Sequence, residues 1–114
     1  MKLAIIGSRG LKKVDLDRYV SKEIDEIVSG GAVGVDRCAA EYAKRRSLKL
    51  TEFLPQFERY GRAAPIVRNK EIVDYADKVI AFWNGSSKGT LSVIKYAQKT
   101  GKACEIILCD DECK

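Results

Sequence analysis

Three glycine-bearing turns in this chain carry groups suited to binding an anion. The longest is Ser29-Gly30-Gly31-Ala32-Val33-Gly34-Val35-Asp36, set between a β-branched segment, Ile27-Val28, and an amphipathic one running from Val35 to Arg46. A strand that feeds a helix through glycines lets a ligand approach the main chain, because glycine reaches φ > 0 and carries no Cβ. The new helix adds unpaired N–H groups and the positive end of its dipole. The chemistry offered is phosphate binding; the competing reading is a tight turn with no ligand. Gly7-Ser8-Arg9 and Ser86-Ser87-Lys88-Gly89-Thr90 are turns of the same kind.

Each turn supplies specific donors. Ser8, Ser29, Ser87 and Thr90 offer hydroxyls, and Gly30, Gly31, Gly34, Gly85 and Gly89 free the main chain for close contact. Arg9 either forks onto a phosphate or is a solvated surface arginine. Asp36 falls in the first turn of a helix, where it either complements the dipole or holds ribose hydroxyls, a base edge or the glycine loop. Arg68-Asn69 lies one helical turn before Ile72 and Val73, both expected in the core. Arg68 therefore sits beside a buried face. It pairs with phosphate, snorkels to solvent, or acts as a strut to Asp74 or Asp77. Tyr60, Trp83 and Phe57 could stack on a base or fill the core. With Arg59, Arg62, Lys70 and Lys88 near the same edge, the chemistry suits a nucleotide and equally a single strand.

Composition narrows the classes. The chain has 114 residues, 21 Lys+Arg against 16 Asp+Glu, and a formal charge of +5, which favours anionic partners. It has no histidine, which excludes a Ser-His-Asp triad and a histidine-based zinc site. Cys38, Cys104, Cys109 and Cys113 include no Cys-x-x-Cys pair, and no metal site is expected. The sequence opens on an apolar strand pattern with no secretory h-region, and no apolar stretch is long enough for a bilayer. A cytoplasmic protein with reduced thiols, and no membrane partner, is the expectation.

The elements that must position these residues alternate along the chain. Residues 3–7, 26–29, 49–54, 78–83 and 103–108 predict strands. Between the first two, Asp15 or Asp17 can cap a helix whose stripe is Leu16, Tyr19, Val20, Ile24 and Ile27. The second helix has Val35, Cys38, Ala39, Tyr42 and Ala43 as its stripe and ends in Lys44-Arg45-Arg46. A loop containing Tyr60-Gly61-Arg62 follows Pro55. Pro65 starts a helix reaching about Ala76. The last helix carries Leu91, Ile94, Ala97 and Gln98 on one side and stops at Gly101. This alternation predicts right-handed βαβ units. The fold class is α/β: a Rossmann-like three-layer sandwich with a mainly parallel five-stranded sheet and its first strand central. Residues 1–109 form this one domain, and 110–114 an acidic tail. The three turns follow strand C-termini, so they converge on the edge where open α/β sheets bind ligands.

Gly7-Ser8-Arg9, Ser29 to Arg37, Tyr60-Gly61-Arg62-Ala63-Ala64, Arg68-Asn69 and Ser87-Lys88-Gly89-Thr90 occur in an order and spacing that resembles the YspA/YpsA-like branch of the SLOG superfamily. That superfamily unites the Smf/DprA DNA-processing proteins with the LOG phosphoribohydrolases. The resemblance covers about residues 3–108. It implies a Rossmann-like domain whose glycine turns bind a nucleotide or a nucleotide derivative, and it implies homodimers, since the relatives often dimerise. LOG enzymes follow their Gly-Thr turn with glutamates that serve N-glycosidic cleavage; here Leu91-Ser92-Val93 follow Gly89-Thr90.

The expectation is therefore a nucleotide-binding or nucleotide-sensing module rather than an enzyme, with no further cofactor. Gly7, Ser8 and Arg9 together with Ser29, Gly30, Gly31, Ala32, Gly34 and Asp36 cradle phosphate and ribose. Arg68, Asn69, Ser87, Gly89 and Thr90 complete the pocket. One alternative is single-stranded nucleic-acid binding as in the DprA core. Another is an enzyme cleaving a glycosidic or phosphate bond with Asp36, Glu71 or Asp74 as its carboxylate.

Overall fold

A computed structural model of the chain describes residues 1–8, 10–11, 14–31 and 34–109. Arg9, Ala32, Val33, Cys113 and the acidic tail, all of which figured in the sequence reading, lie outside the described residues. Five strands form one sheet: β1 (Lys2–Gly7), β2 (Glu26–Ser29), β3 (Lys49–Glu52), β4 (Lys78–Trp83) and β5 (Ala103–Leu108). Their order is β3-β2-β1-β4-β5, and every neighbouring pair is parallel. The first strand is central, as its short apolar sequence predicts, and the sheet is parallel throughout.

Alternation along the strands divides the core in two. Leu3, Ile5, Ile27, Ile80 and Phe82 point to the face covered by α1 (Leu16–Tyr19) and α2 (Val35–Arg45). Ala4, Ile6, Val28, Val79 and Ala81 point to the other face, beneath α4 (Ala64–Tyr75) and α5 (Lys88–Thr100). The result is the three-layer arrangement in which a parallel sheet is buried on both faces. Among the described residues no helix is long and apolar enough to cross a membrane.

Six local details differ from the sequence reading. α1 is a single turn, and Val20 is already extended, with φ −93° and ψ 123°. Its apolar stripe does reach the core, since Leu16 and Ile24 are buried, but it does so mostly from irregular chain. Asp15 occupies the cap position without a side-chain bond, while Asp17 accepts from Arg45 at 2.7 Å and also pairs with Arg46, at the C-terminus of α2. The segment read as a loop holds a short helix, α3 (Phe57–Tyr60), and a 3-10 turn, Gly61–Ala63, before α4. β3 stops at Glu52, before residues 53–54 of the predicted strand. The buried face of α5 is Thr90, Val93, Ile94 and Ala97, rotated from the predicted stripe, with Gln98 exposed. Cys38 and Cys104 are free thiols, but Cys109 is disulfide-bonded, which departs from the expectation of four reduced thiols.

Gly101 ends α5 in the left-handed conformation, at φ 75° and ψ 15°. Glycine adopts that conformation without the steric cost a Cβ imposes, so the predicted stop is also the observed one. Pro65 sits in the first turn of α4, where its missing N–H leaves no helical bond unmade.

Candidate functional site: a cleft where the strand order reverses

From β1 the chain builds outward through β2 to β3, then crosses back to place β4 on the other side of β1. The connections after β1 and β4 therefore leave the sheet in opposite directions, and a crevice opens between their C-terminal ends. A cleft of about 550 Å³ lies there, within the range of small-molecule sites. Gly7 at the end of β1, Gly30 directly after β2 and Asn84 directly after β4 form its sheet edge. Asp36 enters from the first turn of α2, and Ser87, Gly89 and Thr90 enter from the start of α5. Pro65, Arg68, Asn69 and Ile72 of α4 close one wall.

The α5 end of the cleft is a compact hydroxyl and amide cluster. Asn84 Oδ1 accepts from Ser86 N at 2.9 Å, Ser87 N at 2.8 Å and Ser86 Oγ at 3.2 Å, which fixes the turn entering α5. Ser87 is the N-cap, its Oγ accepting from Thr90 N at 3.4 Å. Trp83 Nε1 donates to Ser87 O at 3.0 Å, which braces this turn. Ser8, fully buried, ties β1 to the same cluster: its Oγ accepts from Asn84 N at 3.1 Å and lies 3.3 Å from Thr90 Oγ1. No acidic residue occupies the first turn of α5.

The opposite end is organised by Arg68. Its Nη1 donates to Gly30 O at 2.9 Å and to Phe53 O at 3.4 Å, and its Nε donates to Asn69 Oδ1 at 2.9 Å. The guanidinium thus bolts α4 to the exits of β2 and β3. Asp74 and Asp77 are engaged elsewhere, with Tyr96 Oη and Lys2 N, each at 2.8 Å, so the predicted strut partner is main chain rather than carboxylate. Half-burial pulls the Arg68 pKa down, while the nearby Asp36 carboxylate pushes it back up. An arginine remains charged through such a shift. A Cβ on Gly30 would lie 2.5 Å from Arg68 Nη1 and 3.1 Å from Asp36 Oδ2, so this glycine is what lets both charges approach the strand end.

The remaining predicted residues have varied placements. Gly7 packs against α2: a Cβ there would meet Val35 Cγ2 at 2.2 Å. Gly31 (φ 70°) and Gly34 (φ 80°) adopt the left-handed region that the turn requires. Gly34 is the N-cap of α2 and leaves that helix without a side-chain cap. Ser29 is fully buried, and among the described residues its Oγ has no hydrogen-bond partner. Ser8, Ser29, Gly31 and Gly34 do not line the cleft. Of the three carboxylates considered for catalysis, Asp36 lines the cleft; Glu71 and Asp74 do not. Asn84, Gly10, Pro65, Ile6 and Ile72 also line it and were not among the predicted site residues. Asn84 had a signal, an Asn-Gly pair directly after a strand. Ile6 and Ile72 read as plain core, because apolar wall and apolar core look alike in sequence. Once this geometry is set against known proteins, the chain matches no family model, no curated protein and no solved structure.

Proposed function

We propose that this protein binds a phosphate-bearing, nucleotide-like small molecule in the cleft between β1 and β4, without acting as an enzyme on it. The observation that carries this reading is the charge layout of the cavity. The start of α5 presents main-chain N–H groups with no acid in its first turn, and a half-buried guanidinium stands on the α4 wall of the same cleft. Helix N-termini and arginines are the protein's two standard anion donors. Asp36 is unsuited to facing a phosphate directly but suited to accepting from ribose hydroxyls. The reading agrees with the resemblance to the SLOG superfamily.

Calorimetry with nucleosides and their 5′-monophosphates across the common bases tests it. Binding of at least one monophosphate, at least tenfold tighter than its nucleoside, is expected. Gly89→Asp is the decisive variant. Nothing lies within 4 Å of a Cβ at Gly89, so the side chain fits, and a carboxylate in a first helical turn favours the helix by about 0.3–1 kcal/mol. Phosphate affinity should therefore collapse while the melting temperature holds or rises. A protein that binds no monophosphate, or binds nucleoside and nucleotide alike, refutes the proposal. Tight oligonucleotide binding with a steep loss of affinity in salt would instead indicate several phosphate contacts along a strand.

A further inference from the structure

Two asparagines line the cleft, Asn84 at its sheet edge and Asn69 on the α4 wall. In each, one end of the amide is already committed. Asn84 Oδ1 accepts from the main-chain N–H groups of Ser86 and Ser87 and from the Ser86 hydroxyl. Asn69 Oδ1 accepts from Arg68 Nε. Main-chain and guanidinium N–H groups can only donate, so neither amide can turn over without setting N–H against N–H. Both orientations are thereby fixed, and each asparagine keeps its two Nδ2 hydrogens for another partner. Among the described residues neither Nδ2 has a hydrogen-bond partner.

The other polar side chains of the lining stand differently. Ser87 Oγ donates to Thr90 Oγ1 at 3.3 Å and accepts from Thr90 N, and Ser8 Oγ lies against the same threonine oxygen. These hydroxyls satisfy one another. Arg68 Nε and Nη1 are taken by Asn69, Gly30 and Phe53, which leaves Nη2. The Asp36 carboxylate, close to Arg68 at Gly30, is the acceptor on this side of the cleft. The side-chain nitrogens left for a ligand are thus donors, and they stand on two different walls.

We infer, resting on the functional reading above, that Asn84 and Asn69 select the ligand of this cleft, each acting as a donor only. The ligand therefore presents a hydrogen-bond acceptor to both walls. A phosphate oxygen meets Asn84, which stands in the turn entering α5. A second acceptor of the same molecule, a base carbonyl, a ring nitrogen or a hydroxyl oxygen, meets Asn69. A molecule with an N–H at either place would set donor against donor, and leaving such groups unpaired out of water costs more than a made bond gains. Both amides are held by the fold before any ligand arrives, so little side-chain freedom is lost on binding.

Proton–nitrogen correlation spectra of the full chain, titrated with AMP, GMP, CMP and UMP, test this directly. With at least one of them, the side-chain NH2 signals of both Asn84 and Asn69 should shift and saturate. Asn84→Asp and Asn69→Asp keep the accepting oxygen and replace the NH2 group with a second oxygen, so the turn and the Arg68 bond survive. Each should hold the melting temperature and weaken that nucleotide at least about tenfold. Asn84→Ser, whose hydroxyl also accepts from turn N–H groups, should weaken it without adding a charge. Two results overturn the assignment while leaving phosphate binding intact. One is a nucleotide that shifts the main-chain N–H signals of Gly89 and Thr90 but leaves either asparagine pair unmoved. The other is unchanged affinity in the folded Asn84→Ser or Asn69→Asp protein. If none of the four nucleotides moves any signal of the cleft, the assignment and the functional reading fall together.

Discussion

At the scale of single residues, Arg68 is both a structural bolt and a charge in the cleft, and the two roles predict separable effects. Lysine at position 68 keeps the charge but cannot reproduce Nη1 donation to Gly30 and Phe53 together with Nε donation to Asn69. Arg68→Lys should lower the ligand-free stability by about 1–3 kcal/mol, the worth of hydrogen bonds to a charged group, as read by denaturant unfolding. If the functional proposal holds, the ratio of nucleotide to nucleoside affinity should fall as well; unchanged stability would remove the bolt role. Gly31 makes a second residue-scale case. Its φ of 70° is unfavourable for a β-branched residue, and a Cβ there would lie 2.5 Å from Leu54 Cδ2. Gly31→Val should cost at least about 1–2 kcal/mol of stability, so its effect on binding is interpretable only in protein shown by circular dichroism to be folded.

Among the elements, α4 connects the cleft to the far edge of the sheet. Near its start Arg68 holds the exits of β2 and β3; at its end Tyr75 Oη donates to Glu26 at 2.5 Å, and Thr51 Oγ1 donates to the same carboxylate oxygen at 2.8 Å. Glu26 is buried at the start of β2. The Tyr75 hydrogen bond pulls its pKa below the ordinary glutamate value, with smaller help from Thr51, Lys49 and Lys2, and against the opposing effect of burial. A carboxylate depressed in the folded state contributes stability above its unfolded pKa of about 4.3 and loses it as pH falls through the folded value. Acidification from pH 5 downward should therefore destabilise the wild type, and Glu26→Gln should flatten that decline. Asp17 and Asp25 are also depressed, by Arg46 and by the N-terminal ammonium respectively, so the slope should shrink rather than vanish. An identical pH profile for Glu26→Gln would show that the network carries no proton linkage.

For the whole molecule, the two apolar clusters are faces of one sheet, so neither can lose its packing without exposing strands that the other needs. Unfolding should be a single cooperative step, as in most domains of this size. Trp83, the one tryptophan, reports on the cleft end of β4, while far-UV circular dichroism reports on all helices. Their denaturant curves should coincide; separate midpoints would mean that the α4–α5 side melts independently.

The order of strands and helices was legible because local signals agreed with one another. β-branched runs, Pro65 at a helix start and Gly101 at a helix end each fix backbone state within a few residues, by sterics alone. The glycine turns at Gly31 and Gly34 were legible for the same reason. α1 was not: an apolar spacing of three and four marks which residues reach the core, and irregular chain can deliver Leu16 and Ile24 there as well as a helix can. Sequence alone also proposed that Gly30, Asp36, Arg68, Asn69, Ser87, Gly89 and Thr90 share one edge, because parallel strands put all their C-termini together. Tertiary structure decided which donors are already committed. Ser8 is bound into the Asn84–Thr90 cluster, Arg68 bonds two carbonyls far from it in sequence, and Gly30 is small to admit Arg68 and Asp36. Such contacts depend on where three chain segments cross in space, which no local pattern of residue types encodes.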